Sequence, residues 1–331
     1  MGETSKSALR NSYYYIKPLI PRWFQIKLRR WVALRKRLEC SNVWPIDEKA
    51  ANPPMGWSAW PDGKQFALIF THDVEAAKGK DRCIQLAMLE ESFGFRSSFN
   101  FVAEEYGVSA VLRNYLAEHG FEIAVHGLYH DNNPFRSKEL FQKQAAKINQ
   151  YLKEWGSVGH RFPCMYHNLD WIGEMNIEYD SSTFDTDPFE PQPDGMDTIF
   201  PFWVQNNGYA TRGFVELPYT LPQDFTLFVL MKERDIDIWK KKLDWIVEKG
   251  GMALSITHPD YMNFGKGRCK TEEYPVEFYE EFLDYIKSKY RGQYWHALPK
   301  EMARFWKENG AEKGGEGNSE RAIAQSPKSM E

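Results

Sequence analysis

The chain has 331 residues, of which 42% are hydrophobic, and a formal net charge of −4. That length suits one large α/β domain or two ordinary ones. The four cysteines have no paired spacing, which argues against a disulfide framework or a zinc finger, and no stretch approaches the ~20 apolar residues of a membrane-spanning helix. Because the N-terminus also lacks the apolar run of a secretory signal, we expect a cytoplasmic protein.

Residues 1–40 form a basic arm. They hold ten Lys and Arg against two Glu, a net charge of +8, which leaves −12 for the rest of the chain. Within this arm, residues 22–38 are predicted to form an amphipathic helix that begins after Pro21. Its apolar residues recur at spacings of three and four: Phe24, Leu28, Trp31, Leu34 and Leu38.

Two interpretations of this helix, Arg22 to Leu38, remain open. Its Trp and Phe could enter the interface of an anionic membrane while Lys and Arg meet the headgroups. Alternatively, the apolar stripe could be buried on the body of the protein, with the cations facing the acidic remainder. Nucleic acid is not an expected partner, because the body is acidic overall.

The rest of the chain divides into three predicted parts. Residues 41–65 are a connector rich in Trp and Pro, residues 66–309 a folded body and residues 310–331 a disordered tail. Strands are predicted at 66–73, 96–102, 121–126, 159–163, 177–182, 214–218, 252–258 and 293–298. Helices are predicted at 80–92, 109–119, 136–155, 235–248, 275–290 and 299–308. This alternation predicts an α/β barrel with a parallel sheet, and no GxGxxG or GxxxxGK[ST] follows the first strand to indicate a nucleotide-binding fold.

Three apolar strands end in residues that could carry chemistry. These residues are His72, Asp73 and Glu75 after the first strand, His126 and His130 after the strand at 121–126, and His258 after the strand at 252–258. The carboxyl ends of barrel strands meet at one mouth, where functional residues gather. We therefore expect these side chains to share a site.

Two pairs of residues in this group suit a metal site. His126 and His130 are four residues apart, so within one helical turn both imidazoles could bind one divalent cation such as Zn²⁺. Asp73 and Glu75 point the same way in an extended chain, and one could ligate a metal while the other activates a water molecule. Alternatively, the histidines are polar loop residues and Glu75 caps the following helix.

Two further residues could act on the substrate or on the carboxylates. His258 could protonate a leaving amine or alkoxide, with Asp260 orienting its imidazole. Arg161 could hold a carboxylate in its ionised state or bind a substrate oxygen. The alternatives are a structural histidine and a surface salt bridge.

Four short motifs follow one another along the chain: Thr71-His72-Asp73, His126-Gly-Leu-Tyr-His130, Arg161-Phe-Pro163 and Leu254-Ser-Ile-Thr-His258. In this order they resemble the motifs of the polysaccharide deacetylase family, which includes chitin deacetylases. Four motifs in order are much more specific than any one of them. The resemblance implies a deformed (β/α) barrel of about seven parallel strands that uses a divalent metal, usually Zn²⁺, to remove acetyl groups from N-acetylated sugars.

The resemblance also implies roles for individual residues. His126 and His130 would be metal ligands, and Asp73 would be the base that activates water. Arg161 would support that base, and His258 would be the general acid.

The first motif departs from the family pattern. Members of the family usually have two adjacent aspartates, whereas here Val74 separates Asp73 from Glu75. We therefore predict Glu75 as the third metal ligand. Asp73 as the ligand, with weaker base catalysis, is the alternative.

The predicted function is metal-dependent removal of an acetyl group from a sugar in a polysaccharide or glycolipid precursor. The basic helix could bring the protein to its substrate at the inner face of a membrane. Two alternatives stay open: an amidase that acts on a small non-sugar amide, and a catalytically silent protein for carbohydrate binding or assembly.

Overall fold

The computed structural model describes residues 21–206 and 213–310. Residues 1–20 of the basic arm lie outside the described residues, and so does the predicted disordered tail apart from Gly310. None of the described helices combines the length and the apolar character needed to cross a bilayer.

A curled, mainly parallel sheet forms the centre of the body. The strands are β1 (Phe66–Val74), β2 (Ser98–Phe101), β3 (Glu122–Val125), β4 (Gly159–His160), β5 (Tyr179–Asp180), β6 (Phe202–Gln205), β7 (Gly213–Glu216), β8 (Met252–Thr257), β9 (Met262–Asn263), β10 (Tyr274–Pro275) and β11 (Tyr294–His296). β1 pairs in parallel with β2, β8 and β11, and parallel pairing continues from β2 through β3, β4 and β5 to β7. β6 runs antiparallel to β7, and β9 pairs with β10 apart from this sheet. The result is a half-barrel, which confirms the predicted deformed (β/α) barrel.

Helices connect the strands. They are α1 (Arg22–Glu39), α2 (Ala77–Lys80), α3 (Cys83–Phe93), α4 (Ala110–Glu118), α5 (Lys138–Trp155), α6 (Leu169–Ile172), a π-helix (Phe225–Met231), α7 (Asp237–Lys249), α8 (Glu277–Lys289) and α9 (Pro299–Asn309). Local sequence explains several helix ends: the side chains of Ser109 and Ser137 accept hydrogen bonds from the first turns of α4 and α5. Glycines with left-handed φ follow α3, α5 and α7.

β1 lies at the centre of the sheet and places the site. All nine of its residues are buried, as expected of a parallel strand covered on both faces. β8 lies on one side of β1, and the segment after β7 returns to it: the backbone N–H groups of Thr220 and Leu221 both donate to the Leu254 carbonyl at 3.1 Å. The carboxyl ends of the strands therefore surround one mouth.

The connector, residues 41–65, is held by its tryptophans. Trp60 is buried and its Nε1–H donates to the carbonyl of Gly250 at 2.8 Å. Trp57 stacks on Trp306 of α9, with 4.9 Å between ring centroids. These contacts fix the chain just before it enters β1.

The short and irregular elements of the chain differ most from the prediction. β6, β9, β10 and the π-helix were not predicted, and the strands expected at 159–163 and 177–182 contain only two residues each. The π-helix is a run of seven buried residues, so it shows no alternation from which its type could be predicted.

The helix predicted at 22–38 is confirmed as α1, but its apolar stripe is not buried. All five predicted stripe residues are solvent-exposed: Phe24, Leu28, Trp31, Leu34 and Leu38. The interpretation in which this stripe packs on the body is therefore wrong. α1 packs on the π-helix through its other side, which buries Ile26 and Ala33 and lets Arg30 donate to two carbonyls of the π-helix.

Candidate active site

The end of β1 sends consecutive side chains to opposite faces of the sheet, because side chains alternate along a strand. Asp73 turns toward Arg161 and His126. His72, which the sequence placed at the mouth, is fully buried on the other side, where its ring nitrogens contact Thr257 Oγ1 at 2.7 Å and Glu90 Oε1 at 2.9 Å. His72 is therefore not part of the site.

Asp73 is buried and held by two donors. Asn100 Nδ2 and Arg161 Nη1 both donate to Asp73 Oδ1, at 2.7 and 2.9 Å. The other oxygen, Oδ2, lies 3.9 Å from His126 Nε2. Burial alone would raise the pKa of Asp73, but the charges of Arg161, His126 and His258 lower it below its usual range. Asp73 is thus an ionised carboxylate with one oxygen directed into the site.

Arg161 is almost fully buried, so the alternative of a surface salt bridge is wrong. Its Nη1 donates to Thr71 Oγ1 at 2.9 Å as well as to Asp73. Its Nε and Nη2 donate to the carbonyl and the hydroxyl of Ser181, at 2.7 and 2.8 Å. The guanidinium is fixed in place by these bonds and is positioned to compensate the Asp73 charge.

The two histidines of the HxxxH motif lie at the end of β3. His126 Nδ1 is 3.0 Å from the carbonyl of Arg161, which can only accept, so Nδ1 carries the proton and Nε2 faces Asp73. Burial lowers the pKa of His126 to about 4. His130 Nε2 lies 3.0 Å from Glu75 Oε1, and that carboxylate raises the pKa of His130 despite partial burial. Gly127 has a φ of +71°, which permits the turn between them.

Glu75 faces the same mouth as Asp73, as the i, i+2 spacing predicted. Besides its contact with His130, its Oε1 lies 3.8 Å from His258 Nε2, and its Oε2 accepts a hydrogen bond from the Tyr261 hydroxyl. Burial would raise the pKa of Glu75, but the nearby His130 holds it well below its usual value. The alternative of a helix-capping acid is therefore wrong, because the side chain points into the site.

His258 follows β8 and is oriented by Asp224. The distance from His258 Nδ1 to Asp224 Oδ1 is 2.6 Å, and the His258 backbone N–H donates to Asp224 Oδ2 at 2.8 Å. Burial would lower the pKa of His258, but the Asp224 carboxylate raises it to about 10. His258 Nε2, on the far side of the ring, faces Glu75.

Asp260, which the sequence suggested as the partner of His258, has a different role. Its carboxylate accepts hydrogen bonds from the backbone N–H groups of Glu75 at 2.9 Å and of Ala76 and Gly79 at 3.1 Å. A Cβ at position 79 would lie 2.1 Å from Asp260 Oδ2, so only glycine permits this approach. Asp260 fixes the turn that leads out of β1.

Sequence reasoning missed three residues that contact the site: Asn100, Asp224 and Tyr261. The sequence could have indicated Asn100, because it is a polar residue between Phe99 and Phe101 on a predicted strand. In the structure it pairs in register with Asp73. Asp224 and Tyr261 lie in irregular segments and carried no pattern of their own.

The donor types at this mouth suit a divalent metal. Two imidazoles and a carboxylate are common zinc ligands, and the protonated Nδ1 of His126 leaves its Nε2 as a lone-pair donor. The rings of His126 and His130 lie 5.6 Å apart. Within residues 21–206 and 213–310, however, no three His, Cys, Asp or Glu side chains are already arranged as a metal cluster. Instead of sharing a metal position, Glu75 and His130 contact each other directly, with 3.0 Å between Oε1 and Nε2.

Comparison with known proteins identifies the fold. No protein-family model matches the chain, and no curated protein does. Solved structures do match it: a protein from Mycobacterium smegmatis assigned as a polysaccharide deacetylase has a TM-score of 0.60 and 19% sequence identity, over 78% of this chain and 95% of that one. A protein from Pseudomonas aeruginosa PAO1 with the same assignment has a TM-score of 0.60 and 18% identity, over 81% of this chain and 99% of that one.

A third structure, of the allantoinase Puue, matches equally well, with a TM-score of 0.60 and 17% identity over 81% of this chain and 99% of that one. At these identities the likeness shows the fold. The chain therefore has the polysaccharide deacetylase fold, as the order of its motifs predicted.

Proposed function

We propose that the protein is a metal-dependent hydrolase that removes the acetyl group from an N-acetylated sugar. The observation that carries this proposal is the arrangement of Asp73 and His258. They lie beside the candidate metal ligands Glu75, His126 and His130, with Asp73 Oδ2 3.9 Å from His126 Nε2 and His258 Nε2 3.8 Å from Glu75 Oε1. A base and an acid near the candidate ligands of one metal are what metal-dependent amide hydrolysis needs.

Asp73 and His258 each carry out one of the two proton transfers. Asp73, held by Arg161 and Asn100, accepts a proton from the water molecule whose oxygen bonds to the acetamide carbonyl carbon. The C–N bond then breaks, and His258, oriented by Asp224, gives its Nε2 proton to the departing amine. The products are acetate and a free amino sugar.

Glu75, His126 and His130 would hold the metal, and Zn²⁺ is the cation that two imidazoles and a carboxylate suit best. When bound there, such an ion lowers the pKa of water and polarises a carbonyl oxygen. Binding would replace the pairing between Glu75 and His130 that the structure shows.

We place the reaction on the cytoplasmic side of a membrane, on a polysaccharide or glycolipid precursor. All four cysteines are free, which suits a reducing compartment.

Replacing His126 tests the proposal. His126→Ala should abolish both tight zinc binding, measured by mass spectrometry of the metal content, and acetate release from N-acetylated oligosaccharides. His119→Ala is the matched control, because His119 is partly exposed and pairs with Glu91, away from the mouth. Full acetate release by His126→Ala would remove the proposal.

The allantoinase similarity favours a second candidate, a hydrolase of a small non-sugar amide. Allantoin and N-acetylated amino acids belong in the same assay. Turnover of these compounds without acetate release from glycans would favour this candidate. Glycan binding with no turnover of any compound would instead support the catalytically silent carbohydrate-binding protein.

A further inference from the structure

The face of α1 that points away from the body is apolar. We call it the outer face of α1. It consists of Trp23, Phe24, Leu28, Trp31, Val32, Leu34 and Leu38, all solvent-exposed. At about 3.6 residues per turn these seven residues cover one side of the helix. An exposed surface with this many large apolar side chains marks an interaction site.

The opposite face of α1 is the one that docks: Ile26 and Ala33 are buried there in the core, and cations flank them. Arg30 Nε and Nη2 donate to the carbonyls of Leu230 and Val229 at 3.1 Å, and Arg37 pairs with Glu233. The guanidinium of Arg29 lies 4.7 Å from the ring centroid of Phe225. The protein thus holds this helix by two small or medium apolar residues and their flanking cations, and leaves the larger apolar side chains outside.

Charge on the outer face points to its occupant. Lys27 and Arg35 lie among the apolar residues, 5.0 Å from the ring of Trp23 and 5.9 Å from the ring of Trp31, and Arg35 also forms an ion pair with Glu39 at 3.1 Å. Aromatic and aliphatic side chains interleaved with cations suit the interface of an anionic bilayer, where rings enter the headgroup region and cations meet phosphates. The net charge of +8 on residues 1–40 adds to this attraction.

The docking face of α1, opposite the outer face, connects the helix to the active site. Arg29 of α1 contacts Phe225, whose ring lies 4.9 Å from that of Tyr261, and the Tyr261 hydroxyl donates to Glu75. The π-helix on which α1 packs begins directly after Asp224, the partner of His258. A surface bound by α1 would therefore lie near the elements that carry the site, with α1 and the π-helix between that surface and Glu75.

We propose that the outer face of α1 binds an anionic lipid surface, and that the amide hydrolysed at the mouth belongs to a glycolipid embedded in that surface. The second part rests on the proposed function. The first part stands on the exposed face and its charge.

Vesicle flotation tests the lipid surface. The full chain should float with vesicles of phosphatidylcholine and phosphatidylglycerol, and far less with phosphatidylcholine alone. The double substitution Trp31→Ser and Leu38→Ser should weaken this binding by at least about tenfold. The matched control is Val111→Ser with Met88→Ser: Val111 and Met88 are 79% and 57% exposed, against 77% for Leu38 and 59% for Trp31. Equal binding by the two double variants would overturn the proposal.

Two other occupants of the outer face give different results, and either would overturn the proposal. A second copy of the chain would appear as a dimer in light scattering that the Trp31→Ser and Leu38→Ser variant loses. Residues 1–20 of the same chain would protect Trp31 from hydroxyl-radical oxidation in the vesicle-free monomer. Ready oxidation of Trp31 in a monomer supports the open face.

Acetate release separates this inference from the proposed function. The Trp31→Ser and Leu38→Ser variant should act normally on a soluble N-acetylated oligosaccharide and lose activity on a vesicle-embedded N-acetylglucosamine lipid. Equal activity of the variant and the unmodified chain on both substrates would overturn the glycolipid assignment alone. No acetate from either substrate with the unmodified chain would overturn the proposed function.

Discussion

His72 and Asp73 are neighbours on β1, yet they belong to two different buried polar clusters. Behind the sheet, His72 contacts Glu90, whose carboxylate also accepts hydrogen bonds from Ser97 at 2.6 Å and Tyr279 at 2.5 Å. At the mouth, Asp73 joins Arg161 and the histidines. Both clusters pair a histidine with a carboxylate inside the protein.

The difference lies in what the polar atoms contact. Both ring nitrogens of His72 and both oxygens of Glu90 have hydrogen-bond partners within the protein. At the mouth, His126 Nε2 and His258 Nε2 lie 3.9 and 3.8 Å from the carboxylates they face, which is longer than a hydrogen bond. A closed network stabilises the fold, whereas an incomplete one can bind a ligand.

Removing Arg161 should have the largest effect, because it is the charge that compensates Asp73. Arg161→Met should lower acetate release by about a thousandfold and the free energy of unfolding by about 3–5 kcal/mol. Enzyme assays and urea denaturation measure the two losses. Full activity in this variant would show that the mouth does not depend on an ionised Asp73, and the contrast between the clusters would fail.

Changing the cluster behind the sheet should affect stability alone. Glu90→Gln removes the charge beside His72 and disturbs two hydroxyl donors, so the free energy of unfolding should fall by about 2–3 kcal/mol. Acetate release per folded molecule should not change. Glu91→Gln, at the next and more exposed position of α3, is the control and should leave stability unchanged. A loss of activity in folded Glu90→Gln would make the two clusters one functional unit.

A third buried carboxylate, Glu122, pairs with a hydroxyl and a backbone N–H instead of a histidine. Glu122, at the opposite end of β3 from the site, accepts hydrogen bonds from the Tyr179 hydroxyl at 2.9 Å and the Lys300 backbone at 3.0 Å. Burial raises its pKa from 4.5 to about 7, with Glu301 adding to the rise and the charge of Lys300 opposing it. The folded state therefore binds this proton more tightly than the unfolded chain.

The free energy of unfolding should consequently fall as the pH rises from 4.5 to about 7, by on the order of 2 kcal/mol. Glu122→Gln should remove that part of the slope, measured by urea denaturation at a series of pH values. Identical slopes in the two proteins would contradict the raised pKa.

The sequence predicted most of the fold because its signals were local. A nine-residue buried strand leaves a continuous apolar run, and the alternation of such runs with helical patterns specifies a parallel barrel. Asp73, Glu75, His126 and His130 could also be predicted to meet, because they follow strands whose carboxyl ends share one mouth.

The remaining parts depend on contacts between distant residues. Asp224 meets His258 across 34 positions and Tyr261 meets Glu75 across 186, so no local pattern could reveal them. The side of α1 that docks could not be predicted from the sequence either, because an apolar stripe ordinarily marks the buried face of a helix. Here the face that docks buries Ile26 and Ala33, and Arg30 beside them donates hydrogen bonds to carbonyls near the end of the π-helix.

One assay can compare the roles of the two clusters. Acetate released from an N-acetylated oligosaccharide should be measured per folded molecule for the unmodified protein, Asp73→Asn and Glu90→Gln. We predict release by the unmodified protein and by Glu90→Gln at the same rate, and a loss of about a thousandfold in Asp73→Asn, because that variant lacks the base. Equal release by all three proteins, or no release by the unmodified protein, would contradict the account.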